Sequence, residues 1–138
     1  MSVGNSIIVR AERDNYDEGV LAAIAKPGMN IVLGSAGTYT PGVGLAQTAI
    51  VIEDALQGKT MSDAYASGDL VRFITPEPGD RVHLLCLSGE DISVGEGVKA
   101  NSAGKYVQLS SGDVAQFFAR ESSGGALGAD TLLMCEKV

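Results

Sequence analysis

The chain has 138 residues, a length that suits a single domain able to bury a core of its own. Its 17 acidic and 10 basic residues give a net charge of −7, and the basic residues are scattered singly, which disfavours nucleic acid as a partner because phosphates are bound by clustered Lys and Arg. No charged-then-apolar leader opens the chain and no apolar run approaches about 18 residues, so we expect synthesis in the cytoplasm and no membrane segment.

The first fifteen residues precede the repetitive part of the chain. We predict that residues 1–15 form an extended N-terminal arm and that residues 16–138 form a single β-rich domain. Ile7, Ile8 and Val9 are an apolar β-branched run, which favours a strand. We predict that this strand docks by addition to the sheet of a neighbouring protein, and that Tyr16 belongs to the same interface.

Beyond the arm, glycine turns repeatedly precede apolar runs, several of them about ten residues apart. They occur at residues 27–28, 68–69, 79–80, 89–90 and 112–113, usually with an acidic residue after the glycine. Glycine supplies the positive φ of a turn, and Asp bonds its own backbone two residues on. This rhythm is typical of short strands in a small β-barrel or sandwich, so we predict an all-β fold with little helix.

The elements follow from these turns in chain order. Residues 19–26 fit either a short helix ended by Pro27 or a strand leading into the Pro-Gly turn, and we prefer the strand. Residues 34–44 are predicted to be a loop or an open hairpin. Residues 54–67 are a connection with weak helical signal at 62–66. The later strands are predicted at 81–87, 91–94, 105–109, 115–120 and 131–138.

The strand at 81–87 is apolar on both faces. Alternation places Val82, Leu84 and Cys86 on one face, with His83 and Leu85 on the other. We therefore expect the core to cover one face and a partner to cover the other.

The sequence contains no complete catalytic or nucleotide-binding set. His83 is the one histidine, so a Ser-His-Asp or Cys-His set would have to use it, and we predict instead a surface or interface histidine. The run Gly58-Lys59-Thr60 resembles the end of a phosphate loop, but Glu53 stands where that motif needs a glycine. We predict no catalytic and no cofactor-binding residues, and no enzymatic activity.

The remaining candidates for chemistry are cysteines and carboxylates. Cys86 and Cys135 lie far apart without a nearby CxxC, so one His and two separated Cys make no zinc site. We predict that both are reduced core thiols, the alternative being a disulfide if their strands are neighbours. Glu90, Asp91 and Glu96 lack calcium-loop spacing and are predicted to form turns with a solvated rim, so no metal site is expected.

Several segments of the sequence also resemble segments of a known protein family. Residues 58–71, Gly-Lys-Thr-Met-Ser-Asp-Ala-Tyr-Ala-Ser-Gly-Asp-Leu-Val, resemble a segment of the small capsid decoration proteins of tailed bacteriophages. Similar stretches follow at 76–80 leading to 84–89, and at 92–95, 101–105 and 124–127. The resemblance consists of turn-and-strand signatures over roughly residues 17 to 138. It implies a compact β-barrel or β-tulip domain that assembles as trimers, less often dimers, on an expanded shell, and the family has no catalytic residues.

The resemblance predicts a structural protein of the virion. It would bind the exterior of the expanded capsid, with the major capsid protein and its own copies as partners, and would stabilise capsomer junctions against internal DNA pressure. The predicted assembly is a homotrimer, made in the host cytoplasm and placed on the outside of the shell. The alternative is a small ligand- or glycan-binding β-barrel module of the virion, although the Tyr and Phe residues show no clustering in sequence.

Overall fold

The computed structural model describes residues 6–11, 16–44 and 48–138, which form an all-β fold as predicted. The strands are β1 (Ile8–Arg10), β2 (Tyr16–Val20), β3 (Asn30–Leu33), β4 (Tyr39–Pro41), β5 (Ala49–Val51), β6 (Leu70–Ile74), β7 (Arg81–Cys86), β8 (Gly97–Ala100), β9 (Tyr106–Gln108), β10 (Phe117–Ala119) and β11 (Thr131–Lys137). The helical element of the described part is one 3₁₀ turn, Ala55–Gln57. None of its helices has the length and apolar character needed to cross a bilayer.

Strands β7 to β11 close into a small barrel, which we call the C-terminal barrel. The strand order is β7-β11-β10-β8-β9, and β9 returns to β7 through a parallel pairing of Cys86 with Tyr106. The pairings β7–β11, β10–β11, β8–β10 and β8–β9 are antiparallel. This closed barrel confirms the fold class predicted from the spacing of the turns.

Strands β2 to β6 form a second sheet, which we call the N-terminal sheet. Its order is β2-β6-β5-β3-β4, with antiparallel pairing throughout. The sheet curls until Leu21, just after β2, forms a parallel bridge with Tyr39 of β4. It therefore encloses a core of its own, which contains the fully buried Tyr65 and Val71.

The two units share apolar side chains. One face of the N-terminal sheet carries Ile50, Ile52 and Ile74, which belong to the hydrophobic cluster of the C-terminal barrel. Inside that barrel, Tyr106 and Phe117 are fully buried and meet edge to face, with ring centroids 5.5 Å apart. Burial of apolar area stabilises a fold by about 25 cal/mol per Å², so this shared layer holds the two units together.

Several element boundaries differ from the sequence predictions. The strand expected at 19–26 is β2, which lies earlier, because Leu21 and Ala25 form only isolated bridges. The loop at 34–44 is a hairpin of β3 and β4. The helical signal at 62–66 was wrong: the side chain of Asp54 caps a 3₁₀ turn at 55–57 instead, accepting from the Leu56 amide. The strand expected at 91–94 is also absent, and β8 follows it at 97–100.

The second face of β7 is covered by this chain itself rather than by a partner. His83 and Leu85 are 4% and 5% exposed. The amide of His83 donates to the Ile7 carbonyl, and the amide of Leu85 donates to the Gly28 carbonyl. The N-terminal segment and the Pro-Gly turn therefore occupy the edge of β7 between β1 and β9.

Gly28 links the two units directly. Its amide donates to Val51 of the N-terminal sheet at 2.8 Å, and its carbonyl accepts from Leu85 of the C-terminal barrel at 3.0 Å. Its φ is +91°, and a Cβ built there would lie 2.6 Å from Leu132 Cδ2 and 2.8 Å from the Leu85 amide nitrogen. Only glycine supplies both the left-handed backbone and the close approach.

We expect Gly28→Ala to lower the free energy of unfolding by about 1–3 kcal/mol more than Gly79→Ala, because overpacking adds to the backbone strain. Gly79 is the matched control, since its φ is +93° and a Cβ there would meet nothing within 4 Å. Chemical denaturation of both variants measures the difference. Equal losses of stability would show that the contact at Gly28 is unimportant.

Candidate interaction surface

His83 is a structural residue that anchors the N-terminal segment. It is 4% exposed, and its Nδ1 lies 2.9 Å from the Ser6 carbonyl oxygen. The prediction of a surface or interface histidine was therefore wrong, because the segment before β1 of the same chain covers it. Glu53 holds the same segment from the N-terminal sheet, accepting from Ser6 Oγ at 2.6 Å and from the Ile7 amide at 3.1 Å. Among the described residues, no three His, Cys, Asp or Glu side chains group as metal ligands.

The four residues predicted as an interface lie in different environments. Ile7 is fully buried in the core of this chain, and Ile8 is half-buried in β1, opposite Val82 of β7. Val9 and Tyr16 are each 44% exposed. Docking of this strand on a neighbouring protein stays a prediction, as does the division into an arm and one domain. Such a neighbour would contact Val9 and the outer edge of β1.

The cysteines confirm the prediction of reduced core thiols. Both are free and fully buried. Cys86 pairs with Thr131 and Cys135 pairs with Val82, so the two lie four residues apart in register, about 13 Å along the strands, and too far apart for a disulfide. Burial raises the pKa of Cys86 to about 12 and that of Cys135 well above its usual value. Neither thiol is therefore a nucleophile near neutral pH.

A groove runs along the seam between the two units. It encloses about 240 Å³ and is lined by Lys26, Pro27, Met61, Ser62, Leu85, Asp130, Thr131 and Leu132. The carboxylate of Asp130 already binds Lys105 Nζ at 2.7 Å and the Ser88 amide at 2.9 Å, which holds its pKa below the usual range. Ligand pockets commonly measure about 300–1,000 Å³ and use aromatic walls. This smaller groove without an aromatic residue offers little support for ligand or glycan binding.

An exposed apolar surface lies on β2 and β6. We call Tyr16, Glu18, Val20, Leu70 and Arg72 the β2–β6 patch. Val20 and Leu70 are cross-strand partners, 44% and 45% exposed, and the Arg72 guanidinium stacks on the Tyr16 ring at 4.3 Å. Side chains that lie opposite each other on one face of a sheet are in contact, so the patch is continuous.

The 3₁₀ turn extends the apolar surface beside the patch. The side chain of Gln57 donates to the Leu70 carbonyl at 2.8 Å, which fixes the turn against the start of β6. The neighbouring Leu56 is 98% exposed. The turn that carries Leu56 is thus bonded to the start of β6, where Leu70 is also exposed.

A second surface lies on the outer face of β7, β11 and β10. We call Arg81, Phe118, Arg120 and Glu136 the arginine face. Glu136 pairs in register with Arg81 on one side and Phe118 on the other. Its Oε1 lies 3.0 Å from Arg81 Nε and 3.9 Å from Arg120 Nη1. Two guanidinium groups thus share one carboxylate beside an aromatic ring that is 44% exposed.

Most residues of these two surfaces were not predicted from the sequence. For Phe118, the alternation of side chains in the strand expected at 115–120 is a signal that places it on the face opposite Phe117. The grouping of Arg81 with Arg120 had no comparable signal, because it depends on β11 lying between β7 and β10. For Leu70, the pairing with Val20 was equally hidden, because the two residues are 50 positions apart in the chain.

No protein-family model matches the chain, and a search of curated proteins finds no match. Among solved structures, the fold is similar to the crystal structure of the head fiber gp8.5 N base in bacteriophage phi29. The TM-score is 0.58 at 12% sequence identity, over 89% of this chain and 92% of that chain. At this identity the similarity establishes a shared fold with a bacteriophage head fiber protein.

We expect neither Cys86 nor Cys135 to react with a disulfide reagent at pH 8 in the folded protein, because both are buried and their raised pKa values leave little thiolate. Absorbance of the released thiol measures the reaction, and both should react after denaturation. Ser111→Cys provides an exposed positive control. Stoichiometric labelling of the native wild-type chain at the control's rate would contradict the assignment.

Proposed function

We propose that this chain is a structural protein of a bacteriophage virion that binds the outside of the expanded capsid and stabilises the junctions between capsomers. The observation that carries the proposal is the fold similarity to the phi29 head fiber base over 89% of the chain. The resemblance of residues 58–71 to capsid decoration proteins supports the same function from the sequence.

The filled interior supports a function carried by surfaces. Both hydrophobic clusters consist of closely packed side chains, with Tyr106, Phe117 and Leu133 fully buried in one and Tyr65 in the other. The exposed β2–β6 patch and the arginine face instead combine aromatic, aliphatic and Arg side chains. This composition is enriched at protein–protein interfaces. In this proposal, the chain acts by binding macromolecular partners through these two surfaces.

A junction between capsomers is a weak point of a shell under internal pressure. A homotrimer placed there would make several modest contacts at once, and each contact after the first would form at high effective concentration. The net charge of −7 suits the outside of the shell, away from packaged DNA. The partners in this proposal are the major capsid protein and further copies of the chain.

We expect the purified protein to co-sediment saturably with expanded capsids that lack it and not with unexpanded shells. The physical reason is that expansion creates the junction geometry the protein recognises. Gel densitometry of the pellets measures the number bound per shell, which should match threefold or quasi-threefold positions. Binding to neither shell would overturn the proposal, and equal binding to both shells would overturn the role of expansion.

The N-terminal strand gives a sharper test of the contact. Deleting the segment would also remove Ile7 from the core, so we use Val9→Asp, which changes an exposed side chain of β1. We expect this variant to lose at least about tenfold in capsid affinity, because an interface that buries the new carboxylate must desolvate it. The same co-sedimentation measures the change.

Val43→Asp is the matched control, since Val43 is 49% exposed and lies in the segment after β4. Thermal unfolding of both variants would verify that the fold is retained. If Val9→Asp and the control bound as tightly as the wild-type chain, the N-terminal strand would not be the docking element.

A further inference from the structure

We infer that the arginine face of one copy receives strand β2 of a second copy, joining a basic and an acidic surface through exposed aromatic and aliphatic side chains. The inference deepens the proposed self-assembly and names its contact. The two halves of the contact lie on different units of the fold, one on the C-terminal barrel and the other on the N-terminal sheet.

The basic half has an excess of positive charge in an acidic chain. Arg81 and Arg120 share the single carboxylate of Glu136, and the Arg120 contact is the longer, at 3.9 Å. The Arg120 side chain is 43% exposed. A guanidinium group has several N–H donors that can bind a carboxylate in a two-pronged geometry. Arg120 can therefore donate to a further carboxylate while it stays beside Glu136. Phe118 provides the apolar anchor beside it.

The acidic half is strand β2, in which Tyr16, Asp17, Glu18 and Val20 are all exposed. Arg72 of β6 lies directly opposite Glu18, so Asp17, Glu18 and Arg72 together leave one surplus carboxylate. The other edge of β2 faces β4, where the Tyr39 ring packs against Gly19 and Leu21 bridges Tyr39. The exposed side chains of β2, rather than its backbone, are therefore available to another copy.

The charges select a second copy as the occupant. Two copies of β2 docked on each other would bring their surplus carboxylates together, which is unfavourable. Docking β2 on the arginine face instead places the surplus carboxylate beside guanidinium groups and Tyr16 or Val20 beside Phe118. Because the chain as a whole carries −7, copies repel one another unless such local complementarity guides their approach.

The contact is heterologous, since it joins two different surfaces. Each copy therefore presents one free basic half and one free acidic half after the first contact forms. Repetition of the same contact closes a ring when the rotation per copy divides a full turn. A closed ring uses every copy's two halves and leaves the other surfaces available for a shell.

The test is a charge swap followed by analytical ultracentrifugation, without capsids. Arg120→Glu and Glu18→Arg should each weaken self-association by at least about tenfold, because each places like charges together. The double variant Arg120→Glu/Glu18→Arg should restore it to within about threefold, since the pair is then reversed. An equimolar mixture of the two single variants should also associate, because the two changed halves are complementary to each other and so are the two unchanged halves.

Lys26→Glu is the matched control, because it changes the net charge as Arg120→Glu does but lies in the seam groove. If Glu18→Arg did not fold, Asp17→Arg would replace it in the same swap. A wild-type chain that stays monomeric, single variants that associate normally, or a double variant without rescue would overturn the inference. Capsid binding by a monomeric chain would overturn this contact and leave the proposed capsid function intact.

Discussion

The structure depends on one apolar layer between its two halves. The side chains of Ile50, Ile52 and Ile74 lie on the face of the N-terminal sheet that meets the C-terminal barrel, and they belong to the hydrophobic cluster there. Gly28 adds a backbone connection in which its amide and its carbonyl bond opposite units. With the units held in this way, the positions of β2 and of the arginine face relative to each other are set by the core rather than by flexible linkers.

The same arrangement leaves the interior of the C-terminal barrel filled. A five-stranded barrel has room only for its own side chains, and the C-terminal barrel is filled by aromatic rings, aliphatic side chains and the two thiols. Burial leaves those thiols unreactive. His83 and Glu53 bind the N-terminal segment and hold it in place. The ionisable and nucleophilic side chains inside the molecule are therefore structural, whereas Arg120, Phe118, Tyr16 and Leu70 are exposed at the surface.

Local patterns predicted local features well. The five glycine turns appear with positive φ at Gly28, Gly68, Gly79, Gly89 and Gly112, since that conformation is a property of the residue itself. The strand expected at 115–120 contains β10, in which Phe117 is buried and Phe118 is exposed, as the alternation of side chains in a strand requires. Pairing between distant strands was beyond this reasoning. No local signal indicated that the amides of Leu85 and His83 would donate to the carbonyls of Gly28 and Ile7. Nor did one indicate that β11 would bring Arg81 and Arg120 to one carboxylate.

The anchoring of the N-terminal segment has a consequence for folding during synthesis. Ser6 binds the ring of His83, 77 residues later in the chain. At about 5–20 residues per second, a ribosome needs roughly 4–15 s to supply that partner. Ile7 and its neighbours therefore stay without their native partners through much of translation, and closing so long a loop carries an entropic cost. The first described strand to leave the ribosome therefore cannot take its place until β7 has been made.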